Sequence, residues 1–170
     1  MPQWLCWFWI ALKQAITNDT LRPLNEMAFK GRRPNFGEDL VEQFKDSIEL
    51  STAEALAAVD ADLKDSSPVD SGRFRASWFL VQSRGGIPDT NEVAPEPAKG
   101  KKVKAPPTIN ADELDGGANS TIINNLDYAQ RLCEQGWSKK VPEDWFTRIK
   151  QRWVAGGYLD EAFRRNVKLS

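Results

Sequence analysis

From Glu38 to Lys64, apolar side chains recur at Val41, Phe44, Ile48, Leu56, Val59 and Leu63, with Ala53 and Ala55 between them. Steps of three and four place these positions on one face, so the pattern predicts a long amphipathic helix whose face meets a core. Asn35 or Gly37 is placed to cap it, Glu38 and Asp39 favour the positive end of the helix dipole, and Ser66-Ser67-Pro68 ends the run. At about 1.5 Å per residue such a helix is roughly 40 Å long. After a turn over Pro68 to Gly72, Phe74, Ala76, Trp78 and Leu80 alternate with Arg73, Arg75 and Ser77. That period of two predicts a strand with one buried face, on which Phe74 and Trp78 anchor it to the helix.

Residues 83–119 break the pattern. They hold five of the ten prolines, the pairs Gly85-Gly86 and Gly116-Gly117, and the basic run Lys99-Gly100-Lys101-Lys102-Val103-Lys104. The segment reads as a flexible excursion, with or without a short hairpin, and long excursions in small domains tend to carry contacts. Thr121 to Asn124 form a short strand, and a helical turn follows from Asp127 to Leu132, which Gly136 ends. Pro142 suits the first position of a last helix, with Glu143 and Asp144 in its first turn and Trp145, Ile149 and Trp153 one turn apart. Gly156-Gly157 breaks that helix, and a second piece carries Leu159, Ala162, Phe163 and Val167 on one face. The predicted fold is α+β: a small, mostly antiparallel twisted sheet packed against one long helix, with C-terminal helices and a long inserted loop. Residues 37–170 form this single domain and residues 1–36 an aromatic and basic N-terminal extension. A chain of 170 residues suffices for one sizeable core.

The extension opens with Trp4-Leu5-Cys6-Trp7-Phe8-Trp9-Ile10-Ala11-Leu12, nine apolar residues where a membrane span needs about 20. No basic residue precedes Lys13, as a secretory signal would require. Either residues 1–26 are an adhesive appendage that docks on a partner, or Met27 is the natural start and the stretch before it an upstream extension of the reading frame. No membrane partner is expected.

Seven Trp, eight Phe and two Tyr exceed what a core of this size absorbs, and such a surplus is enriched at protein interfaces. Trp4, Trp7, Trp9 and Trp137, with Lys99, Lys101, Lys102 and Lys104, are the candidate interface residues. The net charge of −1 argues against a diffuse field for nucleic acid, but the charge is unevenly placed. Residues 37–70 carry ten acidic and two basic side chains, whereas residues 120–170 carry nine basic and six acidic. An acidic helix with basic flanks attracts a neighbouring copy head to tail, or is simply a solvated face.

Histidine is absent, which removes the commonest general base and metal ligand and every Ser-His or Cys-His pair. Cys6 and Cys133 lie too far apart for a CxxC motif, and two reduced thiols are expected. Asp60 and Asp62 imitate a DxD metal pair, yet two positions apart on a helix they diverge. Asp112, Glu113 and Asp115 lack the pattern of a calcium loop, and Gly100-Lys101 lacks the rest of a phosphate-binding loop. No catalytic residue, metal site or cofactor is expected, and the protein reads as a non-enzyme. The basic run at 99–104 could touch phosphates, although no interleaved aromatics are present to stack bases.

Pro68-Val69-Asp70-Ser71-Gly72-Arg73-Phe74-Arg75-Ala76-Ser77-Trp78 resembles the P-V-D-T-G-x-L-R-x-S signature of small tail-completion, or neck, proteins of long-tailed bacteriophages. Ile123 to Gly136, with Asn124, Tyr128, Ala129, Glu134 and Gly136, is similar to that family's N-x-x-x-Y-A-x-x-x-E-x-G block. The likeness spans roughly residues 38–167 and holds both blocks in order. Ser71 replaces the usual Thr, Phe74 the usual Leu, the excursion is long, and residues 1–26 match nothing in the pattern. Read by themselves, these residues have structural duties. Gly72 suits a bend that a side chain would obstruct, Asp70 or Ser71 can bond its amides, Asn124 and Asn125 can satisfy main-chain groups, Tyr128 packs and Gly136 terminates.

The resemblance implies a structural virion protein, assembled in the bacterial host cytoplasm. It would form a ring, hexameric by analogy, at the head-tail junction or the head-proximal end of the tail. Its partners would be its own copies and neighbouring neck or tail-tube rings, with DNA passing transiently through the lumen. A tail terminator, a head-tail adaptor and a connector stopper all remain open. The competing class is a cytoplasmic module that grips nucleic acid with the 99–104 loop.

Overall fold

A computed structural model describes residues 36–104 and 106–167. The long helix is present as α1 (Phe36–Ser66), 31 residues with Glu38 and Asp39 in its first turn. It starts one residue before Gly37, which is therefore helical rather than a cap. Next come a single helical turn, α2 (Arg73–Ala76), strand β1 (Trp78–Ser83), a 3-10 turn at Ala111–Glu113 and strand β2 (Asn119–Asn124). Three helices close the chain: α3 (Ala129–Glu134), α4 (Trp145–Val154) and α5 (Gly157–Asn166). β1 and β2 pair antiparallel from Trp78 opposite Asn124 to Ser83 opposite Asn119. The fold is α+β, a two-stranded sheet and helices gathered on one long helix, as expected.

The expected strand at Arg73 to Leu80 is half helix. Gly72 takes a left-handed φ of 81°, and Arg73–Ala76 then make one turn closed by the Ala76 amide on the Gly72 carbonyl at 3.0 Å. Phe74 and Trp78 stand one helical turn apart, a spacing that five alternating residues cannot distinguish from a strand. Both still reach the core. Phe74 lies edge-on to Trp78 at 5.8 Å and to Trp145 at 6.2 Å, and Trp78 stacks on Phe146 at 6.3 Å. These rings surround Val59 and Leu63 of α1, Ile122 of β2, Cys133 of α3 and Ile149 of α4. The Trp78 indole N–H is satisfied by Ser67 Oγ at 2.9 Å and that of Trp145 by the Leu132 carbonyl at 3.2 Å, so the indoles are buried without orphaned donors.

The excursion contains no hairpin: residues 84–110 have no regular element among the described residues. Ser77 Oγ accepts the Ala94 amide at 3.0 Å, Arg73 Nε donates to the Ala94 carbonyl at 2.9 Å, and Asn125 Nδ2 donates to the Thr90 carbonyl at 2.6 Å. Pro142 precedes α4 in a turn instead of starting the helix, whose first residue is Trp145. Gly156 breaks α4 with a φ of 75°, and α5 turns back along α1, burying Tyr158 and Ala162.

Along α1 the apolar face continues from end to end, but its burial does not. Ala53, Ala55, Leu56, Val59 and Leu63 are buried, whereas Val41 and Phe44 are each 37% exposed and Leu40 is 56% exposed. Only the edge of Phe44 meets another ring, that of Phe163 on α5, at 5.8 Å.

Candidate interaction cleft

The two sequence blocks that carry the resemblance meet at one end of the molecule. Pro68, Asp70, Ser71, Gly72 and Phe74 form one wall of a cleft of about 490 Å3, and Tyr128, Leu132, Trp137, Ser138, Lys139 and Lys140 form the other. Phe74 and Tyr128 touch across its floor, with ring centroids 6.3 Å apart. The wall residues hold their places for identifiable reasons. Ser71 Oγ accepts the Arg73 amide at 3.4 Å, so of the two residues proposed to cap the bend, Ser71 does so. Asp70 instead points its carboxylate at Lys140 Nζ, 2.6 Å away. Asn124, buried, donates to the Phe74 carbonyl at 3.0 Å and accepts the Leu126 amide at 3.3 Å, which locks the first block onto the second. Ala129 is buried under α3, Glu134 is exposed and accepts from Gln130 at 3.0 Å, and Gly136 ends α3 with a φ of 57°.

Gly72 brings a third segment to the cleft. The Val103 amide donates to the Ser71 carbonyl at 2.8 Å, and a Cβ on Gly72 would run into the Val103 carbonyl oxygen. The exposed basic run is thereby carried to the cleft rim. Lys140, by its hydrogen bond, holds the Asp70 carboxyl below its ordinary value, and the nearby charge of Lys102 lowers it further. Lys99, Lys101, Lys102 and Lys104 are all exposed, as is Lys139 on the opposite rim. Trp137 is 60% exposed, with the Arg131 guanidinium 5.5 Å from its ring centroid. The result is an aromatic-walled cleft with a basic rim.

Of the candidate interface residues, Trp137 lines this cleft and Lys102 lies near its Asp70, whereas Lys99, Lys101 and Lys104 are exposed and not among its lining residues. Trp4, Trp7 and Trp9 lie outside the described residues. Trp78, expected to anchor the core, is buried, as is Trp145, and Trp153 packs partly buried against the same core, so of the four described indoles Trp137 alone is exposed. Lys139 and Lys140 were not singled out from the sequence, although an aromatic residue followed closely by two lysines, just past a helix-ending glycine, was the available signal.

The acidic helix is answered from within the chain over its second half. Arg165 pairs with Glu54 at 2.9 Å and Arg152 with Asp62 at 3.1 Å, while the Tyr158 hydroxyl donates to Asp62 at 2.6 Å. Asp60, fully buried, takes Lys64 Nζ at 2.6 Å. Burial raises the Asp60 carboxyl above its ordinary value, and the bond to Lys64 offsets part of that rise. Asp60 and Asp62 thus have separate partners and do not converge on one point.

Among the described residues no helix is long and apolar enough to cross a membrane, and no three His, Cys, Asp or Glu side chains are grouped to hold a metal ion. Compared with protein-family models, curated proteins and solved structures, the chain gives no match.

Proposed function

We propose that this protein is a ring-forming structural component of a long-tailed bacteriophage, located at the head-tail junction or at the head-proximal end of the tail. One observation supports the reading above others. The two blocks resembling the tail-completion family meet at one surface cleft, the first supplying Pro68, Asp70, Ser71, Gly72 and Phe74 and the second Tyr128 and Leu132, with the exposed Trp137 and Lys139 just beyond it. Exposed Trp with flanking cations is the chemistry of a protein-protein contact. In this reading the protein acts by assembly: complementary surfaces on successive subunits close a ring, neighbouring neck or tail-tube rings stack on it, and DNA passes through the lumen.

The test is the mass of the full chain in solution at low and high salt, together with immunogold labelling of purified phage particles. Discrete oligomers and label at the neck are expected. A strict monomer that is absent from particles rejects the reading. A filter-binding titration separates the competing class, because a nucleic-acid module gripping through Lys99 to Lys104 would bind DNA with a salt slope of several units.

A further inference from the structure

Apart from the edge of Phe44 on Phe163, the first nine described residues of α1 after Phe36 and Gly37 form a surface that little else among the described residues covers. Leu40, Val41 and Phe44 are exposed large apolar side chains. Around them Glu38, Asp39, Glu42 and Asp46 are exposed and make no ion pair among the described residues. The stub is therefore acidic and apolar at once.

The cleft at the other end of the molecule has the opposite charge and the same apolar character. Lys139 and the exposed face of Trp137 line it, and Lys102 lies close enough to lower the Asp70 carboxyl; neither lysine is in an ion pair among the described residues. A single helix separates the two surfaces. From Phe44 to the Pro68 end of the cleft is a rise of roughly 35 Å at about 1.5 Å per residue. The stub cannot bend back into the cleft of its own chain.

We infer that the acidic N-terminal half of α1 of one copy docks in the aromatic, basic-rimmed cleft of a second copy. The contact joins two different patches, so it repeats from subunit to subunit and generates a closed ring or an open filament rather than a two-fold dimer. Leu40 and Phe44 supply the apolar area against Trp137, Tyr128 and Leu132. Glu38, Asp39 and Glu42 face Lys102 and Lys139. Opposite charges across such an interface fix its polarity and discourage pairing of like ends. This inference rests on the assembly reading above and names its interface.

Three versions of the full chain test it by sedimentation: wild type, the cleft variant Lys102→Glu/Lys139→Glu, and the stub variant Glu38→Lys/Glu42→Lys. All four positions are exposed, so folding is retained. Each variant alone is expected to assemble at least tenfold more weakly, and an equimolar mixture of the two to recover association in alternating copies, because both junctions between unlike copies match, one with the native charges and one with both charges reversed. A photo-crosslinking residue at position 44 is expected to label the Pro68–Gly72 turn or the Trp137–Lys140 segment of another copy. If wild type assembles while both variants assemble equally well, or if the crosslink lands in residues 1–35 of any chain, the interface is wrong and the ring reading stands. A wild type that stays monomeric at every concentration overturns both.

Discussion

The two halves of α1 have the same sequence character and opposite fates. Both present apolar side chains at three- and four-residue steps, and both carry acidic residues on the remaining faces. In the second half Leu56, Val59 and Leu63 are buried, the last two in one cluster with Trp78 of β1, Ile122 of β2, Ile149 of α4 and Ala162 of α5, and Glu54, Asp60 and Asp62 each have a cation. In the first half Leu40, Val41 and Phe44 are exposed and the four acids beside them have no ion pair among the described residues. An amphipathic pattern states that a face needs covering. It does not state what supplies the cover, and here the described residues cover the second half far more fully than the first.

The contrast can be broken most forcefully at the buried ion pair. Lys64→Met leaves Asp60 charged, fully buried and unpaired, and is expected to lower unfolding stability by about 3–5 kcal/mol in urea titrations at pH 7. The pH dependence checks its origin. The folded-state carboxyl of Asp60 already titrates above its ordinary value of 3.8. Between those two points the folded state therefore holds the proton more tightly than the unfolded one. This group's contribution becomes more favourable as pH falls through the folded-state value, and is fully gained once pH drops below the ordinary value. In Lys64→Met the gain on acidification is expected to grow, because the lysine that offset the rise is gone; an unchanged profile would remove Asp60 from the account.

Leu63→Ala, in the buried half, is expected to cost about 2–5 kcal/mol by lost transfer energy and the cavity left behind. Gly72→Ala comes next, at about 2 kcal/mol, because it meets a left-handed φ and the Val103 carbonyl together. Displacing Val103 also frees the basic run from the cleft rim, so tryptic cleavage at Lys99 to Lys104 is expected to accelerate; unchanged cleavage would sever the link between turn and loop. The smallest effect belongs to the exposed half. Leu40→Ala is expected to change the stability of the dissociated chain by less than about 0.5 kcal/mol while weakening assembly. A large loss of monomer stability would mean that the stub is covered within its own chain.

Much of the domain was legible in the residues. The three-and-four spacing located α1, Gly136 and Gly156 marked real helix ends, and Thr121 to Asn124 form most of β2. The turn at Arg73–Ala76 was not legible, because Phe74 and Trp78 satisfy a strand and a helical turn equally well within so short a window. The excursion looked unattached for a related reason. Its tethers are backbone amides and carbonyls at Ala94, Thr90 and Val103, and main-chain groups leave no trace in a side-chain pattern. Half of the candidate site was within reach: Trp137 and the lysine run stood out as residues needing a partner, whereas their meeting with Lys139 and Asp70 depends on segments about 35 to 70 positions apart in the chain.

Local chemistry alone determined the long helix, the breaks at Gly136 and Gly156 and the imbalance of charge, since each follows from neighbours a few residues away. The tertiary structure decided how that imbalance is met. It turned α5 back along α1, where Arg165 and Tyr158 answer Glu54 and Asp62 and Phe163 meets the edge of Phe44, and among the described residues it left Leu40 and Val41 exposed. The reason is length: α1 has 31 residues, α4 and α5 have 10 each, and helices so much shorter cannot screen the whole of it.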